Sequence, residues 1–264
     1  MSDETNNLQD TNDNLTFVVF SGSTALPDGS SLANAIRRAL PDLPSGPLSE
    51  GGSAGALLIP YQGSLITLLG VEAPAPMAET DPEFTNAWYW PKAWSELRKH
   101  RSHMFISVGG GADASMRARL LTRVLAAMLD AIAKPIGVAN SVSGVLMSAA
   151  MAKTLLGQPG QVAIPLFLSC YFAREADGAF ARPGILASTK GMSSFGLMEI
   201  EARGYPGQVP DLYQFLIGFA SYLLEQHPVI ADGHTIGRGG DERIKVKIEK
   251  SLYYDAHVYA LWFQ

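Results

Sequence analysis

Short apolar runs cut by glycine and proline, alternating with stripes at helical spacing, constrain this chain more than any other feature. Residues 17–20 read as a strand ended by Ser21 and Gly22, and Ser30 and Ser31 offer an N-cap to a helix over 32–40. That helix repeats apolar side chains at Leu32, Ala35, Ile36, Ala39 and Leu40, leaves Arg37 and Arg38 outside the stripe, and stops at Pro41. Two further apolar runs, 56–61 and 65–71, flank Gln62, Gly63 and Ser64 and predict a hairpin. Pro91 opens a helix to about His100, and 104–108 is the next strand.

The order over 15–111 is therefore β-α-β-β-α-β, that of a ferredoxin-like unit with an antiparallel sheet and both helices on one face. A connecting segment, 112–135, carries a helix over 117–133 with Leu120, Leu121, Val124, Leu125, Met128 and Leu129 on a broad apolar face. The second half, 136–264, repeats the order loosely with an extra hairpin: strand 136–139, helix 145–156, strand 162–172, an extended stretch over 199–202, helix 211–226, and strands near 244–248 and 256–263. The expected architecture is α+β, with two ferredoxin-like halves forming one compact body on antiparallel or mixed sheets. A disordered acidic tail over 1–14 precedes it.

Composition narrows the function classes. With 47% apolar and 17% charged residues, the chain has the means to build a core and is not a disordered segment. The net charge of −5 is concentrated in the tail, where Asp3, Glu4, Asp10 and Asp13 meet no Lys or Arg. Without those four, the 25 acidic residues fall to 21 against 20 basic ones. A body so nearly neutral lacks the basic excess of a nucleic-acid binder. Cys170 is the only cysteine, which excludes an intrachain disulfide and a cysteine-rich zinc module; within its apolar run it reads as a buried small hydrophobe. The tail has neither the basic region nor the apolar stretch of a secretory signal, and the uncharged stretches 51–71, 135–152 and 154–173 are broken by Pro, Gly, Gln or Asn, so a cytoplasmic protein outside the membrane is expected.

Each chemical motif meets a structural competitor. Gly51-Gly52-Ser53-Ala54-Gly55 matches G-x-S-x-G, but a proline-rich loop precedes the serine and a strand follows it, the reverse of a nucleophile elbow. Gly109-Gly110-Gly111 leads into a helix whose first turns carry Arg117 and Arg119, yet neither G-x-G-x-x-G nor a P-loop lysine is present, so a solvated turn is the better reading than an anion site. Glu96, His100 and His103 lie close enough to suggest a metal, but H-E-x-x-H is absent and Arg98, Lys99, His100 and Arg101 suit a helix C-terminus. Glu199 and Glu201 alternate along a strand and could divide acid and base roles; two solvated carboxylates are the simpler account. Asp232-Gly233 reads as a turn. Trp88, Tyr89, Trp90 and Trp94 crowd four aromatics into seven residues, either as core or as a partner-binding anchor.

Taken together, Trp90-Pro91, the spaced His100 and His103, then Thr189-Lys190-Gly191-Met192 with Phe195-Gly196 and Glu199, and finally Asp232-Gly233 with Thr235-Ile236-Gly237, resemble a bacterial family called domain of unknown function 4261. The resemblance spans most of 15–264. It implies a cytoplasmic bacterial protein, assigns no activity, and is similar in kind to immunity or accessory proteins found near secreted toxins. Two readings follow. The first is a non-enzymatic protein-binding protein, without cofactor or metal, that neutralises a toxin from a neighbouring gene by direct binding. The second is a small-ligand protein or enzyme with a pocket between the halves, using Glu199, Glu201, His100 or His103. A homodimer paired through edge strands is a third, lesser reading.

Overall fold

The structure is a computed structural model and describes residues 14–44, 49–51, 56–111, 113–157, 162–174, 184–237 and 243–263, with no side-chain detail at 49–51. The tail over 1–13 and residues 52–55 of the glycine-rich G-x-S-x-G stretch lie outside them. In chain order the elements are β1 (Leu15–Ser21), α1 (Gly29–Ala39), β2 (Ser49–Gly51), β3 (Ala56–Tyr61), β4 (Ser64–Val71), α2 (Pro82–Asn86), α3 (Ala93–Leu97), β5 (Ser102–Gly110), α4 (Ala114–Ala131), β6 (Pro135–Asn140) and β7 (Val145–Ser148). There follow α5 (Ala149–Leu156), α6 (Ile164–Phe167), β8 (Ser169–Arg174), β9 (Ile185–Lys190), β10 (Ile200–Tyr205), α7 (Val209–Gln226), β11 (Thr235–Ile236), β12 (Ile244–Lys250) and β13 (His257–Trp262). A 3-10 turn, Met192–Phe195, separates β9 from β10. The fold class is α+β.

The chain divides into two compact units: Met1–Met77 with Trp94–Val138 and Ser148–Val162, and Ala78–Ala93 with Ala139–Met147 and Ala163–Gln264. The first holds strands β1 to β5 of a sheet of order β2-β3-β4-β5-β1-β6-β7. Gln62 and Gly63, at φ 47° and 80°, form the turn between β3 and β4, the double positive φ that lets a two-residue hairpin loop follow strand twist. Phe17, Ile59, Ile66, Met104 and Ile106 from the strands and Ile36, Leu121 and Leu125 from α1 and α4 are fully buried. The second unit carries a sheet of order β11-β12-β13-β10-β9-β8, in which β10 runs parallel to β13 and antiparallel to β9. Helix α7 buries Leu212, Leu216, Phe219, Ala220, Leu223 and Leu224, and its Phe219 and Phe215 meet Tyr259 and Phe263 at ring distances of 6.5 and 5.8 Å. Among the described residues no helix is long and apolar enough to cross a membrane.

The ferredoxin-like expectation is corrected. A split β-α-β unit would bring β4 beside β1, but β5 pairs with β4 from Ser64↔Gly110 to Val71↔His103 and with β1 from Leu15↔Val108 to Ser21↔Ser102, and so lies between them. The connection from β4 to β5 also departs from the expectation. It contains only the five-residue helices α2 and α3 where a long helix over 91–100 was expected, and i to i+3 bonds at Ala93, Lys99 and His100 break that stretch into turns. Two other segments change identity along their length. Residues 145–148 are strand before Ser148, whose hydroxyl caps Met151 N–H at 3.2 Å and starts α5. Residues 162–172 begin as the short helix α6, with Pro165 in its first turn, and only then become β8. The cap of α1 is Asp28, which accepts from Ser31 N–H at 2.7 Å, rather than Ser30 or Ser31.

Helix α4 is capped the same way: Asp113 Oδ1 accepts from Met116 N–H at 2.8 Å, so the chain's own carboxylate occupies the end where an external anion was considered. Asp113→Ala should lower stability by about 1 kcal/mol, read by urea denaturation as a lower midpoint at unchanged slope.

Candidate functional site

Two polar residues that the sequence singled out in the second unit, Thr189 and Glu199, meet at the turn between β9 and β10. Gly191 sits at φ 131°, and a Cβ placed there would lie 2.1 Å from Phe167 O, so only glycine lets the chain leave β9 at this point. The following 3-10 turn ends at Gly196, φ 70°. Glu199 closes it from behind: its carboxylate accepts from Thr189 Oγ1 at 2.8 Å, Gly191 N–H at 2.9 Å and Ser193 N–H at 3.2 Å. Thr189 Oγ1 in turn accepts from Ile200 N–H at 2.8 Å, and the Tyr254 hydroxyl donates to Thr189 O at 3.1 Å. Phe195 packs edge-on against Phe167 at 5.7 Å. The cradle of amides is thus an anion site filled by the protein's own carboxylate.

Glu201, the next residue on the same side of the chain, is fully buried, which overturns the reading of two solvated carboxylates. Arg203, 4% exposed, lies two residues on and donates Nη2 to Glu201 Oε2 at 2.8 Å and Nη1 to Glu249 Oε2. Ser251 Oγ donates to Glu201 Oε1, and Leu252 N–H donates to the same oxygen at 3.1 Å. Lys247 Nζ completes the row on Glu249 Oε1 at 3.0 Å. Trp262 lies between the cations, its ring 5.4 Å from Arg203 Cζ and 4.9 Å from Lys247 Nζ. These groups hold the segment between β12 and β13 against β10. Burial pushes the Tyr254 phenol up to about 12, so it remains a neutral donor at ordinary pH.

A groove of about 760 Å³ runs along α7, lined by Asp211, Gln214, Phe215, Gly218, Phe219, Tyr222 and by residues 235–237. Its aromatic rings form a ladder: Phe215 to Phe219 at 6.4 Å with planes 4° apart, then Phe219 to Tyr222 at 6.4 Å and 20°. Gly218 is exposed in the middle of the helix, and a Cβ there would meet no described atom within 4 Å. Thr235 and Gly237 are exposed on the opposite wall. Asp232 fixes that wall by accepting from Ile248 N–H at 2.9 Å, and Gly233, at φ 84°, donates N–H to Val246 O at 2.9 Å.

The remaining candidates lie elsewhere. Trp88 is 43% exposed and meets Tyr89, Phe172 and Tyr213 edge-on at 5.5, 6.3 and 5.7 Å; Trp90 is buried and Tyr89 half-buried, its phenol pushed up to about 12 by burial. Pro91 is exposed, Trp94 is half-buried, and the boundary between the two units falls between Ala93 and Trp94. His100 and His103 are buried in the first unit and bonded to backbone, and among the described residues no three His, Cys, Asp or Glu side chains are placed to hold a metal ion. Cys170 is buried, which raises its thiol pKa well above the ordinary range, as a structural cysteine requires.

Sequence reasoning missed Arg203, Glu249, Ser251 and Tyr254, and treated α7 only as a helix. The signals were present: Glu201 and Arg203 alternate on one strand face, and aromatics at 215, 219 and 222 repeat at helical spacing around Gly218. Arg203→Met should cost about 3–5 kcal/mol, because buried Glu201 would then be left without its cation while Glu249 keeps Lys247. Glu201→Gln combined with Arg203→Met should cost measurably less than the sum of the single changes, a coupling that paired denaturation curves would reveal.

Residues 188–260 match the model of a family described as domain of unknown function (DUF4261). The match takes in the turn closed by Glu199, the Glu201–Arg203 network and the whole groove along α7. Trp90-Pro91, His100 and His103 fall outside it, so the resemblance is to the second unit's β9 to β13 and not to most of the chain. Neither the curated proteins nor the solved structures contain a match.

Proposed function

We propose that this chain is a non-enzymatic protein-binding protein that holds an extended segment of its partner in the groove along α7. Gly218 is the observation that carries this reading. A glycine inside a helix costs roughly 1 kcal/mol relative to alanine, and here no described neighbour requires the absence of a Cβ. What the glycine provides is an open floor between Phe215 and Tyr222. The rings of Phe215, Phe219 and Tyr222 suit the burial of an apolar anchor residue. Helix α7 contributes Asp211 and Glu225 and no Lys or Arg, so a basic residue beside the anchor would complement it.

The polar residues support the same reading by their occupation. Glu199 has three donors and Glu201 has Arg203, Ser251 and Leu252, so both carboxylates are engaged in holding the fold. The partner class suggested by the family resemblance is a secreted toxin from a neighbouring gene, neutralised by direct binding. A small-ligand site is the second reading, favoured by one observation: about 760 Å³ lies within the usual range of ligand pockets.

The test pairs two substitutions at one position. Gly218→Ala should raise thermal stability slightly and keep partner binding; Gly218→Trp should keep the fold and lower affinity at least tenfold, measured by co-purification and titration with the co-expressed neighbouring gene product. Equal binding by both variants would remove the groove from the account. A thermal shift with a small-molecule panel, lost in Gly218→Trp and unaccompanied by protein binding, would favour the second reading.

A further inference from the structure

The first unit holds a histidine pair that the proposed function does not use, and its hydrogen bonds have a definite direction. His100 is 4% exposed; its Nδ1 lies 2.6 Å from Leu97 O and its Nε2 lies 2.7 Å from Ala75 N. A carbonyl can only accept and an amide can only donate, so Nδ1 carries the proton and Nε2 is the bare acceptor. His103 Nδ1 lies 2.9 Å from Ala73 O and must likewise be the donor. The two rings, 6.4 Å apart, thus hold alternate residues of Ala73-Pro74-Ala75-Pro76, a strap whose prolines offer no N–H of their own.

We propose that this pair is an acid-release latch: a proton taken up at His100 Nε2 removes the acceptor that holds the Ala75 amide and frees the strap over 73–77, which leads the chain from the first unit to the second at Ala78. Protonation turns the contact into two N–H groups facing each other, whereas His103 can be protonated at Nε2 without losing its bond to Ala73 O. The groups around His100 favour the neutral ring. β1 presents Phe20, whose ring is 5.2 Å away edge-on, β5 presents His103, and the strap presents no titratable side chain. Glu72, just before the strap, accepts from Leu26 N–H, and Glu96, Arg98, Lys99 and Arg101 flank His100 along the chain. Burial first, and then His103, lower the His100 pKa below its ordinary value, while the bond to Leu97 O raises it. The unfolded chain therefore binds the proton more readily than the folded one. The latch contributes its full stability above the ordinary histidine pKa of about 6.5 and loses it as pH falls below that value.

Amide hydrogen exchange on the wild-type protein tests this between pH 7.5 and 5. Each protection factor is corrected for the intrinsic pH dependence of exchange, and ring nitrogens are followed by NMR. Ala75 protection should fall at least tenfold on acidification, with a midpoint below about 6.5 that matches the His100 titration, while Ile106 in the centre of β5 stays protected. His103→Gln should retain the acid response, since its proton is not the trigger. Constant Ala75 protection across the range, simultaneous loss at Ala75 and Ile106, or titration of His100 at or above 6.5 would each overturn the proposal.

Discussion

A carboxylate with no exposure to water has to be neutralised where it stands, and in the second unit that condition falls on Glu201. Arg203 meets it from two residues away on the same strand, so one side of β10 carries both charges and the rest of the unit organises around them. Glu249 from β12 and Ser251 and Leu252 from the segment before β13 are drawn to the pair, which ties β12 and that segment to β10. A hydrophobic pair of similar size could pack as well. It could not specify which segment lies on β10, because only directional donors and acceptors distinguish one register from another.

The turn closed by Glu199 repeats the principle on a smaller scale. Its amides would bind an anion, and the protein supplies that anion from its own chain. With both carboxylates committed to structure, the recognition surface we propose lies along α7. Along α7 that surface is a groove whose aromatic rings are steadied by Tyr259 and Phe263 beneath them. Rigid support of this kind favours recognition, since little side-chain freedom is lost on binding.

The local grammar of the chain was legible where one physical cause acted alone. The hairpin at Gln62-Gly63, the stripe of α1 and the broad face of α4 follow from turn chemistry and periodicity. Reading failed where two causes met inside one apolar run: residues 145–156 and 162–174 each contain a strand and a helix, and only Ser148 and Pro165 mark the change. The ferredoxin-like order failed because element sequence does not fix which strands become neighbours, and here β5 lies between β4 and β1. For the site, spacing placed Glu199 and Glu201 on one side, but their burial depends on Arg203, Glu249 and Ser251, whose approach is set by strand pairing over about fifty residues.

The central claim is that recognition belongs to the groove along α7 and not to the polar turn beside it. A photo-crosslinking side chain introduced at Gln214 in the groove, and separately at exposed Ser193 in the turn, tests it in complexes with the co-expressed neighbouring gene product. The account predicts a covalent adduct from position 214 and none from position 193. An adduct from position 193 alone would contradict it and return the search to the turn that Glu199 closes.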